Sequence, residues 1–205
     1  MPHTSHLALD NVSITSPFPV THSILSTTAL CSEILPRYEL GDPVTCLFLA
    51  RGVNDTYLVQ TPAEKYILRV YQTGWRTLSD ILYEIDVLLH LARQGIPVSR
   101  PVVQANGDMV CTLQAPEGLR HLVLFTYAPG RQLKRHDSTD TYYHGRALAD
   151  LHNASDTFTS FYAREALDLA YLIDHSLKMI QPLYTGPSVD WSYLQNLAAR
   201  LRTQI

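Results

Sequence analysis

Alternation of polar and apolar positions is strictest over residues 65–71, Lys-Tyr-Ile-Leu-Arg-Val-Tyr. The run is β-branched and aromatic with no Gly or Pro, which is strand chemistry. Alternation puts Tyr66, Leu68 and Val70 on one face and Ile67, Arg69 and Tyr71 on the other. The period then lengthens: from residue 78 to 94, Ile81, Ile85, Leu88 and Ala92 share one helical stripe. Glu84 lies three residues after Ile81 and four before Leu88, so it falls on that apolar stripe. A carboxylate there is costly unless a cation meets it, and Arg69 on the preceding strand is the obvious partner. The plain alternative, an edge arginine and a solvent-facing glutamate, stays open at this point.

Other elements follow from the same pattern. Residues 1–24 are rich in Ser, Thr, His and Pro without a period and read as a loose leader. A short helix is expected from the Ser26-Thr27 caps through Leu30 and Ile34 to Pro36. Strands are expected at 44–49 and 56–60, joined to each other and to 65–71 by hairpin-length turns at 51–55 and 61–64. Gly95 suits a helix C-cap and Pro97 blocks continuation. Asn106-Gly107 predicts a hairpin between 102–104 and 109–113. A last strand, 121–127, ends at Ala128-Pro129-Gly130. Beyond it the period is helical, with stripes Tyr143/Ala147/Leu151/Ala154, Ala170/Ile173/Leu177/Ile180 and Trp191/Leu194/Ala198/Leu201. The expected fold class is α+β: a five-stranded antiparallel sheet with one inserted helix, then helices. The expected organisation is a leader (1–24), an N-terminal lobe (25–127), a linker (128–135) and a helical lobe (136–205).

Composition narrows the function classes. The chain has 205 residues, 46% hydrophobic and 17% charged, which suits a folded core. A net charge of −3 with no basic cluster among aromatics argues against a nucleic-acid binder. Cys31, Cys46 and Cys111 are odd in number and far apart in apolar surroundings, so they read as reduced thiols of a cytoplasmic protein. Neither a secretory signal nor a membrane-spanning run is evident, so no membrane partner is expected. Nine histidines raise the question of a metal site. His144 and His152 would sit about 80° apart on a helix, a poor ligand pair, and His136-Asp137 falls in the linker, so no metal ligands are assigned. The chain holds no Gly-x-Ser-x-Gly and no Gly-x-x-x-x-Gly-Lys-Ser/Thr, which removes the nucleophile-elbow hydrolases and the P-loop enzymes.

Four segments in order, Tyr66-Ile-Leu-Arg-Val-Tyr71, Gly95-Ile-Pro-Val-Ser-Arg-Pro-Val102, Val123-Leu-Phe-Thr-Tyr-Ala-Pro-Gly-Arg-Gln-Leu133 and Gly145-Arg-Ala-Leu-Ala-Asp-Leu-His152, resemble the aminoglycoside phosphotransferase superfamily. This group of kinase-like enzymes includes homoserine, choline and fructosamine kinases. The resemblance implies a two-lobed, protein-kinase-like fold, ATP as cofactor with Mg²⁺, and transfer of phosphate to the hydroxyl of a small acceptor. It places Gly52 and Asn54 in the loop covering the nucleotide and Arg69 where the family has a phosphate-contacting Lys. Glu84 falls at the helix Glu that orients that cation. Backbone groups of Thr126 and Ala128 would meet the adenine edge. An Arg keeps the charge of the Lys but is bulkier and forked.

The family's catalytic loop reads His-Gly-Asp, with an Asn five residues after the Asp, and no such tripeptide occurs here: His144-Gly145 continues into Arg146. No catalytic residue is therefore assigned, and the Mg²⁺ ligands are expected in a missing C-terminal part. The resemblance implies a phosphotransferase truncated before its catalytic loop, inactive as it stands. A complete, non-catalytic kinase-like protein binding a nucleotide or a partner is the alternative. A truncated helical lobe would also favour self-association through its exposed helices.

Overall fold

The computed structural model describes residues 19–42, 44–134 and 136–204. The described chain opens with a continuous helical run: α1 (Thr27–Ala29), a π-helical turn (Leu30–Ile34) and a 3₁₀ turn (Leu35–Arg37). The Ser26 side chain caps it by accepting from the Ala29 amide, and Pro36 ends it. Three strands follow, β1 (Thr45–Arg51), β2 (Asn54–Gln60) and β3 (Lys65–Tyr71), then helix α2 (Leu78–Arg93). Next come β4 (Cys111–Ala115), β5 (Gly118–Thr126) and α3 (Ser138–Ser155). The remainder comprises a π-helical turn at Ala170–His175 leading into α4 (Ser176–Ile180), and then α5 (Ser188–Gln204).

The sheet is antiparallel throughout, in the order β1-β2-β3-β5-β4. Each face is covered by one helical element. Tyr57, Val59, Leu68, Val70, Leu122 and Leu124 pack with Leu30, Ile34 and Leu35 of the first helical run. On the opposite face Tyr71, Val123 and Phe125 pack with Ile81 and Ile85 of α2. The outermost strands differ from the inner ones: β1 carries a register shift between Phe48 and Ala50, and β4 has only five residues.

Helix α2 begins and ends where local chemistry dictates. Thr77 and Asp80 form a reciprocal capping box. At the other end the Ile96 amide donates to the Leu91 carbonyl at 3.0 Å across Gly95, whose φ of +80° suits glycine.

Two expectations are corrected. The Asn106-Gly107 turn forms, with Gln104 N donating to Asp108 O at 2.8 Å, but 102–104 is not a strand and the following strand starts at Cys111. Residues 100–102 instead run along β5, where Val102 N donates to Leu124 O and Thr126 N to Arg100 O, each at 2.8 Å. That commitment takes them away from 109–113, so β4 makes its hairpin with β5. The last strand begins at Gly118 rather than 121, because Arg120 is a buried strand residue.

The end of the leader reaches into the described residues. Its residues 1–18 lie outside the described residues, but His22 and Ser23 are docked. Ser23 donates to Glu117 through both its amide and its hydroxyl, and its carbonyl accepts from Arg120. Arg120 also donates to Asp55 Oδ2 at 2.7 Å and to the Tyr71 carbonyl at 3.0 Å, and His22 Nε2 lies 3.2 Å from the same Asp55 oxygen.

The described residues divide into two compact units, one ending at Ser160 and one starting at Phe161. Within the first, Arg131 grips Asp140 with two hydrogen bonds of 2.7 and 2.6 Å, pinning the segment after β5 to the first turn of α3. That contact and the Lys134 amide hold the Asp140 carboxyl down at about 2. Within the second, Arg202 of α5 pairs with Asp174. No described helix is long and apolar enough to cross a membrane.

Candidate nucleotide-binding site

Arg69 and Glu84 are brought together. Strand β3 projects Arg69 on the face that α2 covers, and the Glu84 Oε1 atom accepts a hydrogen bond from Arg69 Nη1. Both side chains keep roughly a third of their surface, 34% and 29%. The pair is therefore reachable from solvent yet screened less than a surface pair. Tyr71, two residues along the same face, donates its hydroxyl to the other carboxylate oxygen at 3.0 Å. The Arg69 guanidinium also lies over the Phe125 ring, 4.9 Å from its centroid. Burial pulls the Arg69 cation toward neutrality, but Glu84 and Tyr71 outweigh it and its pKa is raised. Burial, reinforced by the Glu84 carboxylate, pushes the Tyr71 phenol well above its ordinary value, so it remains a hydrogen-bond donor.

Gly52 lies in a two-residue turn between β1 and β2, where its amide donates to Asn54 O at 3.2 Å. Gln72 Nε2 holds the Gly52 carbonyl at 2.9 Å, tying the turn to the end of β3. Asn54 is paired in register with Tyr71, and Thr56 with Arg69, so Asn54 stands on the face that carries the Arg69–Glu84 pair. Its Oδ1 is buried without a hydrogen-bond partner, an acceptor with nothing to accept from.

Thr126 and Ala128 stand at the other end of the sheet. Thr126 is paired in register with Tyr66, three residues before Arg69, or roughly 10 Å along the strand. Its amide is committed to the Arg100 carbonyl, and its hydroxyl accepts from the Arg100 amide at 2.9 Å. Ala128 is exposed in irregular backbone. Beside them opens a cavity of about 660 Å³ lined by Thr61, Lys65, Arg100, Thr126 and Tyr127.

Sequence reasoning found the cation and the carboxylate but missed three supports: Tyr71 as donor to Glu84, Phe125 beneath the guanidinium, and Gln72 behind the turn. The alternation that placed Tyr71 beside Arg69 was the available signal for the first. Phe125 follows only from the β3–β5 register, in which Ile67 opposes Phe125. Nothing in the sequence marks Gln72. Among the described residues no cluster of three His, Cys, Asp or Glu side chains is disposed to hold a metal ion.

Comparison with known proteins gives a consistent picture. The model of the phosphotransferase enzyme family matches residues 45–203. An uncharacterised protein of Deinococcus radiodurans is 42% identical over 168 residues, 82% of this chain and 48% of its own length. A homoserine kinase of Azorhizobium caulinodans is 32% identical over 133 residues, 64% of this chain and 40% of its own. Among solved structures, the microcompartment-associated aminopropanol kinase superposes with a TM-score of 0.61 at 25% identity, covering 73% of this chain and 47% of that one. The chain spans about half the length of the curated relatives it matches.

Proposed function

This chain belongs to the phosphotransferase enzyme family, and on that premise we propose that it forms the nucleotide-holding part of an ATP-dependent small-molecule kinase acting on a hydroxyl acceptor. The observation that carries the reading is the Arg69–Glu84 pair, supported by Tyr71, on the α2-covered face of the sheet. Arg69 meets the phosphates; Glu84 and Tyr71 fix where its fork points. The Gly52–Asn54 turn lies over the phosphate chain, and the unpartnered Asn54 Oδ1 fits a ligand or water donor there. The purine sits toward Thr126 and Ala128. The Ala128 backbone supplies the freer contact, because the Thr126 amide is committed to Arg100. The roughly 10 Å between the two ends suits a nucleoside triphosphate.

Mg²⁺ would neutralise phosphate charge in such an enzyme, but the described residues do not assemble its ligands, so none is assigned. The 205 residues contain no His-Gly-Asp, so no proton-accepting carboxylate and no acceptor site is assigned among them. That same lack keeps alive a second reading, a kinase-like protein that binds a nucleotide or partner without turnover. A cytoplasmic location fits the chemistry of ATP and of free thiols. Self-association fits the apolar side chains left exposed on α3, among them Tyr142 and Tyr143.

Calorimetric titration of the chain with AMP-PNP and Mg²⁺ tests the site. Binding that is lost in Arg69→Ala and kept in Arg69→Lys supports it; no binding, or binding indifferent to Arg69, rejects it.

A further inference from the structure

Helix α2 presents two opposed stripes, and only the inner one, Ile81 and Ile85, packs on the sheet. The outer stripe is Tyr83, Asp86 and His90, spaced by three and four residues as one helical face requires. Each of these three side chains is held by the short segment that ends the first unit. The Phe158 ring packs edge-on against Tyr83 at 5.3 Å and against His90 at 5.5 Å. Ser160 donates its hydroxyl to Asp86 Oδ2 at 2.6 Å. His90 Nε2 lies 2.7 Å from the Ala154 carbonyl, so this ring nitrogen carries the proton. That carbonyl sits in the last turn of α3, whose terminal oxygens lack helical partners. Local backbone bonding aims the segment: the Phe158 amide donates to Ser155 O at 3.0 Å, closing the turn that sends the ring back toward α2.

We propose that residues 154–160 form a clasp that sets the rotation and height of α2, making Phe158 and Ser160 positioning residues for the Arg69–Glu84 pair. The geometry argues for position rather than mere burial. Each residue of a helix turns by about 100° and rises about 1.5 Å, so a small roll or slide of α2 takes Glu84 off the Arg69 fork. The inner stripe is apolar and resists such sliding poorly, since hydrophobic contact is not directional. The clasp supplies direction through two hydrogen bonds and an aromatic ring wedged between Tyr83 and His90, over a stretch that overlaps Glu84. The inference rests on the reading of Arg69 as the phosphate-binding cation only for its functional consequence; the clasp itself stands on the contacts.

The test uses the full chain. In Phe158→Ala, amide exchange in the middle of α2 should rise about tenfold while β3 and β5 keep wild-type protection. Ser160→Ala should raise it about threefold, and Ser160→Thr, which keeps the hydroxyl, should restore it. AMP-PNP affinity should fall about fivefold in Phe158→Ala but not further when Glu84→Ala is already present, because the clasp acts on Arg69 through Glu84. Unchanged α2 exchange, or exchange that rises equally in α2, β3 and β5, overturns the clasp. Wild-type nucleotide binding with full affinity retained in Phe158→Ala overturns its functional part. If the wild-type chain binds no AMP-PNP, the nucleotide reading fails, and the exchange comparison still decides the clasp.

Discussion

The carboxylate of Glu84 is divided between two donors, Arg69 on one oxygen and Tyr71 on the other, both from the same face of β3. Removing either cation or carboxylate leaves a partly buried charge, but both groups keep enough exposure to recover some solvation. Arg69→Ala and Glu84→Ala should each cost about 1–3 kcal/mol, with a coupling energy of about 1–2 kcal/mol in the double-mutant cycle. Tyr71→Phe should cost about 1 kcal/mol and leave the Arg69 contact in place. Urea unfolding of these variants, the double variant and wild type measures all of this; additive effects would mean that the pair contributes nothing.

Arg120 and Asp55 show no side-chain exposure at all. Deleting one partner strands the other charge inside the sheet, so Arg120→Met or Asp55→Ala should cost about 3–5 kcal/mol. The paired replacement by apolar residues of similar size should recover much of that loss. A denaturant series in which the double variant is no better than the worse single one would contradict a stranded charge as the source of the cost.

Alkaline pH should destabilise the first unit. Burial pushes the Tyr57 phenol up to about 12 from 10.0, helped by Asp55, and the Cys46 thiol up to about 12 from 9.0, helped by Cys31. Tyr38 and Tyr71 are raised in the same direction, again chiefly by burial. The unfolded chain therefore loses these protons first, and deprotonation favours it. Stability from these groups should be intact below about pH 9 and fall progressively as pH rises toward 12, by several degrees in Tm. Thermal melts followed alongside tyrosinate absorbance check the sign; a Tm flat to pH 11 refutes it.

The 205-residue chain alone should transfer no phosphate from ATP to amino alcohols, amino acids or aminoglycosides, since it holds no His-Gly-Asp and no cluster of three His, Cys, Asp or Glu side chains among the described residues is disposed to hold a metal ion. Turnover above background that disappears in Arg69→Ala would show that these residues hold a complete catalytic centre.

Elements governed by a local period were readable from the sequence. Strand β3 has the expected bounds, and α2 differs by one residue at its C-terminus. Elements governed by distant partners were not. Asn54 and Asp55 belong to β2 because they pair with Tyr71 and Val70, and as two polar residues after Gly52 they resembled a turn. Arg120 looked like a strand boundary until Asp55, Glu117 and three carbonyls proved to surround it. The helical stripes after residue 136 exist as helices, yet α3 buries only Asp140 and α5 only Ala198. Periodicity reports which face is apolar and not what covers it. At the site, the charges were legible because they broke an apolar pattern, whereas Phe125 and Gln72 break none.

The two outermost strands decide by what route this molecule can aggregate. A sheet grows by presenting a flat row of unpaired amides and carbonyls to another strand. Here β1 is interrupted between Phe48 and Ala50, which bends and twists the row, and β4 stops after five residues. Neither offers a template long enough for fibril-like stacking. Leu47 and Leu49, though exposed, stand perpendicular to that row and cannot supply its hydrogen bonds. Clumping of this protein should therefore be amorphous and detergent-reversible, driven by exposed helical side chains, and should leave dyes that report cross-β order dark.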